Sequence, residues 1–127
     1  MTKIHPTAII DSQAKIGNNV EIGPFSIIGP KVTLADNNII KSNVIITGNT
    51  QIGSGNLFFP FAVIGEDPQD LKYQGEDSKI IIGDNNKIRE YVTIHPGTKD
   101  DNLITKIGNN CLFMISSHIA HDCVIGN

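Results

Sequence analysis

Three of the four histidines in this 127-residue chain stand among residues that could put them to work. His118 and His121 flank Ile119 in Ser117-His118-Ile119-Ala120-His121-Asp122-Cys123, and His95 lies in Thr93-Ile94-His95-Pro96-Gly97-Thr98. An imidazole titrates near neutrality, so it can remove a proton from a hydroxyl that attacks an activated acyl group. A neighbouring carboxylate, here Asp122, can orient the ring and support its charged form. A second chemistry open to the same cluster is zinc binding by three histidines, with water in the fourth position. His118 and His121 are only three residues apart, which makes joint ligation of one ion awkward. His5 reads as a turn residue.

A second polar group lies in Glu66–Glu76, which contains Gln69-Asp70-Leu71-Lys72-Tyr73 together with Pro68 and Gly75. A third segment, Lys99-Asp100-Asp101-Asn102, follows Thr98. Both read as loops thrown out from a rigid scaffold, where function concentrates.

The scaffold is visible as a period. Large apolar residues stand six apart at Ile4, Ile10, Ile16, Ile22, Ile28, Leu34, Ile40, Ile46, Ile52, Phe58 and Ile64, and again at Ile82, Ile88 and Ile94 and at Ile107, Phe113, Ile119 and Ile125. A helix repeats its apolar face every three or four residues and a strand every two, so neither fits. Hexads are the mark of a parallel β-helix whose coils are triangles of three short strands. With the large apolar position called i, glycine often occupies i+1 (Gly17, Gly23, Gly29, Gly53), where a corner would crowd a side chain. Position i+4 is mostly small or β-branched (Ala8, Ala14, Val20, Ser26, Val32). The pairs Asn18-Asn19, Asn37-Asn38, Asn85-Asn86 and Asn109-Asn110 suit turns, because asparagine tolerates left-handed backbone. By this count His118 is at i+5 and His121 at i+2, both facing outward, and His95 is at i+1.

Composition narrows the function. A net charge of −3 with scattered lysines leaves no nucleic-acid footprint. No stretch approaches the ~18 apolar residues of a spanning helix, so no membrane insertion is expected. The repeat begins at once at Ile4, leaving no room for a signal peptide, and a cytoplasmic location is expected. Cys111 and Cys123 both fall at inward i+4 positions and are expected to pack as small apolar residues without a disulfide. No cofactor is called for. The chain reads as one domain, 1–127. It stops in mid-hexad without a capping repeat, so the expectation is the front portion of a longer protein.

The loop Gln69-Asp70-Leu71-Lys72-Tyr73, the segment Arg89 to Thr98 and the run His118-Ile119-Ala120-His121-Asp122-Cys123 together closely resemble the UDP-N-acetylglucosamine 3-O-acyltransferases, which open lipid A biosynthesis. The resemblance runs from Ile4 to Asn127. It implies an all-β, left-handed parallel β-helix, a homotrimer, and active sites in the clefts between subunits. It also implies transfer of a 3-hydroxyacyl chain from acyl carrier protein to the 3-hydroxyl of UDP-N-acetylglucosamine. On the matching positions His121 would be the general base and Asp122 its partner, while Gln69, Asp70, Lys72, His95 and His118 would contact the nucleotide sugar. Pro96 stands where the family carries a basic residue. Further coils and a helical C-terminal domain of the family are absent from this sequence. The competing readings are a related hexapeptide acyltransferase acting on another sugar nucleotide or an amine, and a non-enzymatic β-helical module. The module would want outward ranks of threonine, which this chain lacks.

Overall fold

The computed structural model describes residues 1–69, 71, 74, 75, 77–98 and 103–127. Among the described residues eighteen short strands form three parallel sheets of six, which are the walls of a left-handed parallel β-helix. The first wall stacks Lys3–Ile4, Glu21–Ile22, Ile39–Ile40, Leu57–Phe58, Lys87–Ile88 and Leu112–Phe113. The second stacks Ile9–Ile10, Ile27–Ile28, Ile45–Ile46, Val63–Ile64, Thr93–Ile94 and His118–Ile119. The third stacks Lys15–Ile16, Thr33–Leu34, Asn49–Ile52, Lys79–Ile82, Ile104–Ile107 and Val124–Ile125. Ile4 therefore lies opposite Ile22, and Ile22 opposite Ile40, each one coil of eighteen residues further on.

Each hexad supplies one side of the triangle. Its large residue i points inward and the residue before it points outward, as adjacent strand residues must. The inward column is sealed: Ile22, Ile40, Phe58 and Ile88 on the first wall and Ile28, Ile46, Ile64 and Ile94 on the second are buried. The first coil is open, with Ile4 47% exposed, and in the last described coil Cys111, Cys123 and Ile125 are only partly buried. Cys111 and Cys123 are free thiols packed against this core.

The corners differ from the sequence reading in an instructive way. Where a corner carries a left-handed residue it is mostly i+3, as at Asn19 (φ 56°), Asn37 (64°), Asn43 (58°), Asn85 (59°) and Asn110 (60°), and also at Phe25 (60°), Phe61 (69°) and Tyr91 (61°). Asparagine is favoured there because its short polar side chain tolerates this region. The i+1 glycines mostly have ordinary φ, and what they satisfy is closeness between coils. A Cβ on Gly53 would come within 2.7 Å of the Gly83 carbonyl oxygen, and one on Gly23 within 2.8 Å of the Lys41 carbonyl carbon.

Asn38 and Asn86 are not corner residues at all. They occupy inward i+4 positions with Asn56 between them, all fully buried. They form a ladder in which Asn56 N–H donates to Asn38 Oδ1, Asn86 N–H to Asn56 Oδ1 and Cys111 N–H to Asn86 Oδ1, each at 2.8 Å. The Asn56 amide also donates to the Gly53 carbonyl at 3.2 Å and the Gly83 carbonyl at 3.0 Å. A buried polar side chain persists only when its donors and acceptors are met, and these are.

The two interruptions leave the stack intact. Both are followed by four-residue strands, Lys79–Ile82 and Ile104–Ile107, in register with Asn49–Ile52. Ile80 and Thr105, both fully buried, take the inward i+4 places of the interrupted hexads. The prism thus closes across both interruptions. At another corner Phe61 and Tyr91 stack in parallel with ring centroids 5.5 Å apart, and both are exposed, as are Phe25, Met114 and Ile115. Among the described residues no helix is long and apolar enough to cross a membrane.

Asn56→Ala removes the acceptor for Asn86 N–H and the donor to two carbonyls. It should lower unfolding free energy by about 2–3 kcal/mol in urea titrations followed by circular dichroism. An unchanged midpoint would show that the ladder does not support the stack.

Candidate active site

The second wall and the corner after it carry the histidines. His118 is the outward residue before Ile119 and stands in register with Thr93 one coil earlier. That pairing puts His118 Nδ1 2.7 Å from Thr93 Oγ1. His95 follows the inward Ile94, and its ring meets His118 edge to face with centroids 4.8 Å apart and planes at 70°. The His95 ring is tucked into the corner at 8% exposure, rather than standing free, and its Nδ1 has no hydrogen-bond partner among the described residues.

His121 and Asp122 lie on the bend after Ile119. Asp122 is the left-handed i+3 residue of its hexad (φ 64°), and this turns its carboxylate back beneath the corner, where its side chain is 2% exposed. The half-buried His121 places Nδ1 3.0 Å from Asp122 Oδ2. An ionised carboxylate can only accept, so Nδ1 carries the proton and Nε2 is the basic nitrogen of the ring.

Thr98 completes the carboxylate's surroundings. Its N–H lies 3.0 Å from both carboxylate oxygens, and its hydroxyl donates to Oδ2 at 2.8 Å. Asp122 N–H donates to Thr105 Oγ1 at 3.0 Å, and that hydroxyl donates to the His95 carbonyl at 2.6 Å. Burial by itself would raise the Asp122 carboxyl, but the bonds from His121 and from the Thr98 N–H and hydroxyl outweigh it and hold the group below the ordinary aspartate range. Asp122 is therefore a carboxylate at neutral pH. Burial lowers His95 below the usual histidine value, His118 and His121 add to that, and Asp67 opposes it. His95 is therefore neutral at pH 7.

The structure brings together four of the residues singled out from sequence: His95, His118, His121 and Asp122. Gln69 is exposed on the first loop, and no hydrogen bond or ring contact among the described residues joins it to the histidines. Asp70 and Lys72 lie outside the described residues. The foot of that loop does approach the cluster, since Asp67, Asp77, Ser78 and Pro96 line one cleft of about 300 Å³. Sequence reasoning missed Thr93, Thr98, Thr105 and Asp67. Thr93 was detectable, because it precedes Ile94 as His118 precedes Ile119. Among the described residues no group of three or more His, Cys, Asp and Glu is placed to hold a metal ion.

The His95 shift has a sign that can be checked. The folded chain holds His95 unprotonated where the unfolded chain, with its ordinary value of 6.5, would bind a proton. Its contribution to stability is thus full above that value and is lost as pH falls below it. The melting temperature should drop between pH 7.5 and 5.5, and His95→Asn should flatten that slope. Equal slopes in the two proteins would contradict the buried, neutral ring.

Comparison with known proteins fits this geometry. The family described as bacterial transferase hexapeptide (six repeats) matches residues 1–36 and 13–48. The acyl-[acyl-carrier-protein]–UDP-N-acetylglucosamine O-acyltransferase of a Psychrobacter species is 52% identical over 126 residues, covering 99% of this chain and 49% of that protein. The corresponding Rickettsia prowazekii protein is 56% identical over 122 residues, covering 96% of this chain and 46% of its own. Among solved structures, the UDP-N-acetylglucosamine acyltransferase of Bacteroides fragilis superposes with a TM-score of 0.93 at 53% identity, over 97% of this chain and 48% of that one. The Acinetobacter baumannii structure gives a TM-score of 0.96 at 51% identity, over 98% and 48%. A GDP-perosamine N-acetyltransferase from Caulobacter crescentus shares the fold alone, at 15% identity and a TM-score of 0.54. The chain spans about half the length of the curated relatives it matches. Along nearly all its residues the chain is thus 52–56% identical to these O-acyltransferases and shares the fold of the solved UDP-N-acetylglucosamine acyltransferases.

Proposed function

We propose that this chain carries the general-base half of an acyltransferase that moves a 3-hydroxyacyl group from acyl carrier protein to the 3-hydroxyl of UDP-N-acetylglucosamine, the first step of lipid A biosynthesis. The observation that carries the reading is His121 held by a buried, ionised Asp122 through Nδ1. The sugar hydroxyl gives its proton to His121 Nε2 as its oxygen attacks the thioester carbonyl carbon. The new C–O bond forms and the carbonyl electrons move onto oxygen. The tetrahedral intermediate then collapses with loss of the C–S bond. The carrier thiolate leaves and takes the proton back from the imidazolium, which Asp122 has stabilised meanwhile.

His118, His95 and Gln69 are assigned to the nucleotide sugar with Asp70 and Lys72. Lys72 would meet phosphate as a compact cation, and Asp70 would accept hydrogen bonds from uracil or sugar. The working form is a cytoplasmic homotrimer with sites between subunits. Two observations support it. The outward column of the second wall is apolar from Ile9 to Val63, with Ile9 65% and Ile27 39% exposed, and the exposed Phe61–Tyr91 stack lies at the adjoining corner. Both cysteines are free, as a reducing compartment keeps them.

A chimera in which this chain replaces the matching segment of the Psychrobacter protein tests the reading. It should form 3-O-acylated UDP-N-acetylglucosamine by mass spectrometry, and His121→Ala should cut the rate by ~10²-fold or more with an unchanged circular dichroism spectrum. No product from the chimera, while the Psychrobacter protein turns over, would refute it; so would full activity in the variant. In the same chimera Asp70→Ala and Lys72→Ala should weaken UDP-N-acetylglucosamine binding about tenfold each by calorimetry. Unchanged affinity in both would remove the loop from the site.

A further inference from the structure

We propose that Thr98 is a positioning residue of the His121–Asp122 pair, its hydroxyl and N–H together fixing the carboxylate so that Oδ2 presents one lone pair to His121. This rests on the acyl-transfer reading above and deepens it.

In an uninterrupted hexad the residue four past Ile94 would face the prism interior. The second insertion hands that place to Thr105. Thr98 is thereby released from the wall, yet it stays 2% exposed. Both of its donors are spent on one acceptor group, the N–H against both oxygens of Asp122 and the hydroxyl on Oδ2. A residue needed only to close a loop would not direct both at a carboxylate. Its own carbonyl closes the loop separately, accepting from Leu103 N–H at 3.0 Å. Gly97 permits the approach: a Cβ there would collide with the Leu103–Ile104 backbone and press on Asp122 Oδ1.

The geometry determines what the hydroxyl does. Oδ2 accepts from Thr98 Oγ1 at 2.8 Å and from His121 Nδ1 at 3.0 Å. A carboxylate has about four lone-pair sites and turns readily about its last bond. With the N–H bridging its two oxygens and the hydroxyl on one of them, that rotation is stopped. His121 is then aimed by a fixed acceptor, and Nε2 points where the fold directs it. Among the described residues, the titratable groups around the pair are His95 and His118, with Asp67 acting on His95.

Thr98→Val keeps the shape and the N–H but deletes the hydroxyl, and Thr98→Ser restores it. Two readouts separate positioning from packing. In the 127-residue chain the Asp122 carboxyl is titrated by its ¹³C shift, and the His121 tautomer is read from its ring ¹⁵N shifts. In the chimera described above, kcat and KM for UDP-N-acetylglucosamine are measured separately. Thr98→Val should raise the Asp122 midpoint, mix the His121 tautomers and lower kcat about tenfold or more with KM little changed. Thr98→Ser should return all three towards the parent. An unmoved Asp122 midpoint in Thr98→Val, or a serine variant as impaired as the valine one, overturns the proposal. If the parent chimera makes no product while the midpoint still rises in Thr98→Val, the acyl-transfer reading falls and the hold of Thr98 on Asp122 is demonstrated independently.

Discussion

The structure depends on one constraint: each strand residue lies directly over its counterpart in the neighbouring coil. Parallel pairing, at an eighteen-residue offset except across the two insertions, gives each coil the same cross-section, and a narrow triangular prism has no slack in which to vary it. The inward columns must then be uniform in size along their length, and the chain must pass close to itself at the corners. The i+1 glycines follow from the second requirement. The buried asparagine ladder follows from the first, because three amides stacked one above another satisfy each other in a way that a single buried amide could not. Stability in such a stack is a sum of neighbour contacts, as in other solenoids.

This constraint explains which parts of the molecule can be read from its sequence. The period of six is a direct record of the inward columns, so the class of fold was visible without a structure. So were the placement of both insertions and the inward position of Cys111 and Cys123. The corner chemistry was less legible. Asn37 and Asn38 are adjacent and identical, yet one is a left-handed bend and the other a buried rung. Composition alone cannot separate them; counting from Leu34 can. His95 was placed correctly in the hexad, but its burial follows from the corner in which it is packed, and no spacing encodes that.

The candidate site forms where the repeat is broken and restored. An uninterrupted coil has only outward residues on flat walls, which offer exposed side chains and no burial for a charge. Thr98 lies against the Asp122 carboxylate, while Thr105 re-enters the wall and ties the Asp122 backbone to the His95 carbonyl. Two threonines thus link an outward-facing ring to the interior of the prism. They were missed because threonine at an i+4 position usually signals nothing but packing, as at Thr50, whose hydroxyl bonds the nearby Thr47 carbonyl. The histidines were found because their chemistry is legible from residue type alone.

Asp122 answers to two demands at once. Its backbone is the bend of its hexad at φ 64°, and its side chain is the buried anion beneath His121. Asparagine would meet the first demand and fail the second. Glutamate carries the charge but would carry the carboxylate one methylene too far. The bend itself accepts other side chains, since Phe25, Phe61, Tyr91 and Ser116 hold the same place in their hexads. It is the buried anion that narrows the choice, so the identity of this one residue marks whether a solenoid of this shape keeps a carboxylate beneath its imidazole.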